Sequence, residues 1–199
     1  ASRRRTYAFI GRAASWSAEG VILFSPNGVG PLYRVPSSGG EAVPATKVLA
    51  GQTDHRMPHF LPDGRQFLLL ARGTPDAQGI YLGKLDSTEI KRLTPADTGG
   101  AYSPQGWLLF GRQGTLVGRR FDTARGVFEG DPITVADPVG FDATGAGAFS
   151  VSAVGPIVSR AGGASKRPLT WFDRAGKPLG PLGEGAASGL SNVELPPAG

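Results

Sequence analysis

Residues 59–70 read His59-Phe60-Leu61-Pro62-Asp63-Gly64-Arg65-Gln66-Phe67-Leu68-Leu69-Leu70: an aromatic residue, a tight turn, then an apolar run of strand length. In such a turn proline presets φ near about −65°, aspartate bonds the backbone beyond it, and glycine accepts positive φ. The same outline recurs in both directions. Short turns close at Gly20 (SAEG), Gly64 (PDG), Gly106 (PQG), Gly155 (SAVG) and Gly199 (PAG), at intervals of 44, 42, 49 and 44 residues. An apolar residue stands four places before each glycine: Trp16, Phe60, Tyr102, Val151 and Leu195. A period of about 40–50 residues built from short strands predicts a β-propeller, with one four-stranded antiparallel sheet per repeat.

The repeat divides the chain into a basic segment over 1–13 and a partial propeller over 14–199. Its blades are expected at 14–57, 58–100, 101–147 and 148–192, with the first strand of another over 193–199. Within them, VILF (21–24), QFLLLAR (66–72) and WLLFGR (107–112) are apolar on consecutive positions, as a strand buried on both faces requires. The long third interval is absorbed by DPVGFDATGAG (137–147), which is expected to be an extended surface connection. Blades bury their faces only against neighbours, so four blades and a stub predict an excerpt from a ring of six to eight blades.

Composition agrees. Gly and Pro supply 31 and 17 of 199 residues, yet 40% of the chain is hydrophobic and lies in patterned runs, so these residues read as turns between many short strands and not as disorder. The net charge of +5 is scattered apart from Arg3-Arg4-Arg5, without the interleaved aromatics a nucleic-acid surface wants. The absence of cysteine excludes disulfides and thiolate chemistry. No apolar run approaches the ~20 residues that cross a bilayer, and the opening ASRRRTYAFIGRA lacks the apolar core of a signal peptide.

The turns LPDG (61–64) and SPQG (103–106) resemble the WD-like repeats of TolB-type propellers. The longer strings LYRVPSSGGE (32–41), HRMPHFLPDGRQFLLLARG (55–73), GIYLGKLDS (79–87), FSVSAVGPIVSR (149–160) and LTWFDRAGKPLG (169–180) resemble propellers found C-terminal to bacterial serine/threonine protein kinases. The resemblance covers about residues 14–199. It implies a protein-binding sensor module, extracytoplasmic or periplasmic, whose parent is anchored by a transmembrane helix. SAEG and SAVG depart from the pattern in lacking the Pro-Asp pair. The chain itself has no Gly-rich phosphate loop, no VAIK lysine, and no HRD or DFG element, so it is not expected to be a kinase.

Other chemistry finds little support. His55 and His59 form an HxxxH spacing, but no Glu follows His55, Pro58 argues against helix, and a structural zinc wants four N or S ligands. Strand or loop packing where blades one and two meet is the expectation, with no metal and no cofactor. No GxSxG elbow marks a hydrolase. Asp63, Asp86, Asp122 and Asp173 sit in turns, where aspartate is structurally favoured, and not as a glycosidase pair. Trp16, Trp107, Trp171, Tyr33, Tyr81 and Tyr102 lie in strand patterns and are expected to pack between blades. No catalytic, metal, cofactor or ligand-binding residue is assigned.

The expectation is thus a non-catalytic sensor or interaction propeller segment of a bacterial signalling protein, binding a protein, peptide or envelope ligand, with the remaining blades of the same propeller as its other partner. The alternatives are a periplasmic TolB-like scaffold and the N-terminal propeller of a serine peptidase.

Overall fold

A computed structural model describes residues 13–26, 28–152, 155–161, 167–172 and 177–186. Residues 1–12 of the basic segment, Asp173, the first three residues of the turn RAGK (174–177) and the fifth repeat start at 193–199 lie outside them. All regular structure among the described residues is strand, as the density of Gly and Pro breakers demands.

Three complete antiparallel sheets follow one another. The first holds β1 (Ala14–Trp16), β2 (Val21–Phe24), β3 (Tyr33–Pro36) and β4 (Val43–Pro44). The second holds β5 (Gln52–Phe60), β6 (Gln66–Gly73), β7 (Gly79–Lys84) and β8 (Ser87–Thr94). The third holds β9 (Ala101–Ser103), β10 (Trp107–Arg112), β11 (Thr115–Asp122) and β12 (Val127–Ala136). Each is a simple meander with its strands paired in chain order, the unit of an all-β propeller. The fourth repeat supplies two two-stranded sheets, β13 (Phe149–Val151) with β14 (Ile157–Ser159) and β15 (Arg167–Phe172) with β16 (Pro178–Ala186). The chain divides into compact units at Gly162, so β15 and β16 form a hairpin in a unit of their own.

The repeating turn has the backbone its residues call for. Gly20, Gly64, Gly106 and Gly155 all have positive φ, between 65° and 112°. Asp63 Oδ1 accepts from the backbone N–H groups of Arg65 and Gln66 at 3.0 and 2.9 Å, and Asp122 does the same for Ala124 and Arg125 at 2.9 and 3.0 Å. These aspartates are turn caps. Asp86 also occupies a turn, a two-residue one, with β8 beginning at Ser87.

The core lies in the seams between sheets. Leu23 and Leu32 meet Phe67, Leu69 and Tyr81 in the first seam. The opposite face of β6 and β7 (Leu68, Leu70, Ile80, Leu82) meets Leu108, Phe110 and Phe121 in the second. Consecutive residues of β6 therefore serve two different seams, which is why Phe67-Leu68-Leu69-Leu70 is apolar throughout. Each fully buried Leu or Phe contributes about 1.5–3 kcal/mol of transfer free energy.

Three expectations need correction. The second sheet starts at Gln52, ahead of the boundary placed at 58, because Thr53, Asp54 and His55 are drawn against the loop of Gly30. Trp16 is 65% exposed, although core packing was expected. Its repeat equivalents Phe60 and Tyr102 pack in the seam toward the preceding sheet; no described sheet precedes β1. Lastly, residues 137–147 are not an extended surface connection but a folded element, described next.

Candidate functional site

Because the strands form a meander, their connections alternate between two faces. Loops joining one sheet to the next share a face with the β2–β3, β6–β7 and β10–β11 loops. Hydrogen bonds between these loops confirm it: Gln113 N–H donates to Asp97 Oδ2 at 2.6 Å, and Gly99 N–H to the Gly145 carbonyl at 2.9 Å. The tight repeat turns sit on the other face, where Gln66 Nε2 reaches the Thr123 carbonyl at 3.1 Å.

The irregular third interval builds the most developed feature of the connector face. Val139 is 2% exposed, anchored beside Leu109 and Leu116, with its N–H bonded to the Gly114 carbonyl at 2.6 Å. Phe141 then bridges Gly147 in a small hairpin. Asp142 Oδ1 closes the hairpin by accepting from the N–H groups of Thr144 and Ala146 at 2.7 and 3.1 Å. Its tip leans over the second seam. Arg72 Nη1 donates to the Ala143 carbonyl at 3.0 Å, and a Cβ on Gly145 would come within 2.4 Å of Leu70 Cδ2. Between this tip and the second sheet lies a pocket of about 300 Å³, lined by Arg72, Gln78, Asp97, Phe141, Asp142 and Gly145. Insertions in repeat proteins gather on the binding face, which makes this pocket the candidate site.

The histidines serve structure. His55, fully buried on β5, has Thr46 Oγ1 at 2.7 Å from Nδ1 and Gln52 Oε1 at 2.9 Å from Nε2. Gln52 Oε1 also accepts Leu49 N–H at 2.8 Å, so the imidazole donates to it from Nε2, and the neutral ring's Nδ1 accepts the Thr46 hydroxyl proton. Both nitrogens are thereby occupied. Burial pushes the His55 pKa down to about 4, against the smaller raising effect of Asp54. His59 accepts from Tyr102 N–H at 3.2 Å, and burial lowers its pKa too. The two rings bond different partners, so the HxxxH spacing makes no shared site.

A buried ion pair sits beside His55. Arg56 donates from Nε to Asp54 Oδ1 and from Nη2 to the Gly28 carbonyl at 2.7 Å. This clasp joins the first two sheets at the connector face, and no motif announced it: an Asp and an Arg two apart on a strand share a face. The Asp54-His55-Arg56 string therefore acts as a brace.

Among the aromatics, Tyr81 is buried and donates its hydroxyl to the Ala77 carbonyl at 2.8 Å, while Tyr33 and Tyr102 pack against Phe24 and Phe121 with centroids 6.2 and 6.5 Å apart. The Trp171 side chain is outside the described residues. Trp107, half-buried under the guanidinium of Arg120 at 4.7 Å, lines a groove of about 440 Å³ with Leu109, Ile133, Val135 and Ile157. That groove is the face of the third sheet turned away from the second seam. On the propeller plan it is where a following sheet packs, so it belongs to the fold and not to a ligand.

No protein-family model and no curated protein matches the sequence. Among solved structures, the chain is similar to a calcium-binding protein, regucalcin, from Agrobacterium tumefaciens: TM-score 0.55 and 16% identity over 87% of this chain and 60% of that one. It is also similar to TolB from Acinetobacter baumannii: TM-score 0.50 and 22% identity over 86% of this chain and 43% of that one. The chain thus spans less than two thirds of the length of either structure. Both likenesses bear on the fold, which they mark as a β-propeller.

Proposed function

We propose that this chain is a non-catalytic interaction propeller segment of a bacterial signalling protein, acting outside the cytoplasm and binding a protein, peptide or envelope ligand on its connector face. The observation that carries the reading is the 141–147 hairpin, which adds a polar pocket to one seam while the tight repeat turns of the opposite face keep their common form. Ligand bound there would shift the population of arrangements of an attached domain. The resemblance of the strings at 32–41, 55–73, 79–87, 149–160 and 169–180 to kinase-associated propellers supports the signalling context. A second reading, a periplasmic scaffold of the TolB kind, is favoured by the structural likeness to TolB.

The test is capture of partners from a bacterial envelope extract by the tagged chain and by a variant whose residues 141–147 are replaced with a two-residue turn. Loss of capture in a variant that still melts cooperatively supports the reading; equal capture by both overturns the assignment of the face. A kinase domain and membrane helix encoded upstream would favour the sensor, and a propeller alone behind a signal peptide the scaffold.

A further inference from the structure

The rim pocket holds open groups of three chemical kinds. Arg72 uses Nη1 to hold the Ala143 carbonyl, and its Nε and Nη2 have no partner among the described residues. Asp97 receives Gln113 N–H on Oδ2 and Gln78 donates Nε2 to the Ala96 carbonyl at 3.4 Å, while Asp97 Oδ1 and Gln78 Oε1 have no partner among the described residues. Phe141, on the hairpin, is 52% exposed. One cation, two carboxylates with a neutral acceptor, and one apolar ring therefore line the same pocket.

That combination discriminates among ligands. A phosphate or other bare anion would meet Arg72 but also the carboxylates of Asp97 and Asp142. A metal cation would meet those carboxylates but also the guanidinium. A wholly apolar ligand would desolvate all of them without return. A volume of about 300 Å³ stands at the small end of ligand pockets, enough for one or two amino-acid residues.

Resting on the reading of this face as the binding face, we infer that the pocket receives a free α-amino-carboxylate: a carboxylate on the Arg72 fork, an ammonium on Asp97 Oδ1 and Gln78 Oε1, and an apolar side chain against Phe141. Arg suits the carboxylate because its planar donors match the two oxygens. A free amino acid and a short peptide share this chemistry.

Calorimetry on the whole chain tests it, with L-leucine and L-alanyl-L-leucine as probes beside their N-acetyl and C-terminal amide forms. The expected result is binding of one of the free probes, weakened about tenfold or more by either blocking group. Saturation by leucine identifies a single amino acid as the source, and saturation by the dipeptide alone identifies a peptide. Asp97→Asn keeps an acceptor for Gln113 N–H, so the loop stays intact. It is expected to weaken the free probe about tenfold and leave the N-acetyl probe unchanged. Arg72→Lys keeps a donor for Ala143 and is expected to weaken the free probe but not its amide. No binding of either free probe at millimolar concentration, or equal binding of free and blocked forms, overturns the inference. Should macromolecular capture depend on the hairpin while both free probes fail to bind, this inference falls and the proposed face stands.

Discussion

The imidazole of His59 accepts the backbone N–H of Tyr102 at 3.2 Å, so strands β5 and β9 of neighbouring sheets are joined through a side chain that must be neutral to do so. His55, further up β5, bonds Thr46 and Gln52 and is kept neutral by its burial.

Acid therefore loosens the seams on either side of β5. The folded pKa of His55 lies at about 4 against an ordinary 6.5, and that of His59 is lowered in the same direction. Between these limits the unfolded chain binds more protons than the folded one, so stability rises with pH there. It is complete above 6.5 and lost progressively toward 4, with His55 alone accounting for about 3 kcal/mol, to order of magnitude. Urea midpoints measured from neutral to mildly acidic pH should fall; a flat profile across that window would refute the neutral-histidine account.

The turn glycines carry the second prediction. Gly64 has φ 65° and Gly106 φ 86°, backbone that a β-branched side chain resists. Gly64→Val and Gly106→Val should each destabilise the fold by about 1–2 kcal/mol or more, and Gly64→Asn by less. Thermal melts read the order directly. If valine and asparagine at 64 melt together, backbone strain is not what selects glycine in this turn.

Much of this architecture was legible in the residues. Positive φ at Gly64 and apolar runs such as Phe67 to Leu70 are local demands, and each repeat states them again. What escaped depends on neighbours. Trp16 looks like Phe60 and Tyr102 in the chain, and only the absence of a described sheet before β1 leaves it 65% exposed. The start of β5 at Gln52 is set by the loop around Gly30, which no pattern within 52–58 reveals. The hairpin at 141–147 was visible as surplus length, but Gly, Ala and Thr do not say that surplus folds back. Its readable signal was Val139, which with Phe141 is one of two large apolar residues in the stretch and proves to be the anchor.

The Asp54–Arg56 pair yields an asymmetric prediction. Asp54 is 4% and Arg56 7% exposed, so removing one partner leaves a buried charge unmatched. Asp54→Ala should cost about 3–5 kcal/mol, while Asp54→Leu combined with Arg56→Met, which removes both charges, should cost clearly less. Denaturant titrations of the three proteins make the comparison. A double variant weaker than Asp54→Ala would mean that the bond from Arg56 to the Gly28 carbonyl, and not the charge balance, holds the first two sheets together.

The hairpin's seat over the second seam can be tested at a single position. Gly145 has φ 84°, and a Cβ there would lie 2.4 Å from Leu70 Cδ2, closer than packed atoms tolerate. Gly145→Ala should therefore lift the tip, at a cost of about 1–3 kcal/mol of local stability. The Gly99 amide reports the outcome, since its hydrogen bond ends on the Gly145 carbonyl at 2.9 Å. Hydrogen exchange at Gly99 should speed up in the variant, while Leu68 and Leu108, paired within their own sheets, keep their protection. Unchanged exchange at Gly99 would show that the tip does not depend on this close approach, and that the pocket wall is held by Val139 and Arg72 alone.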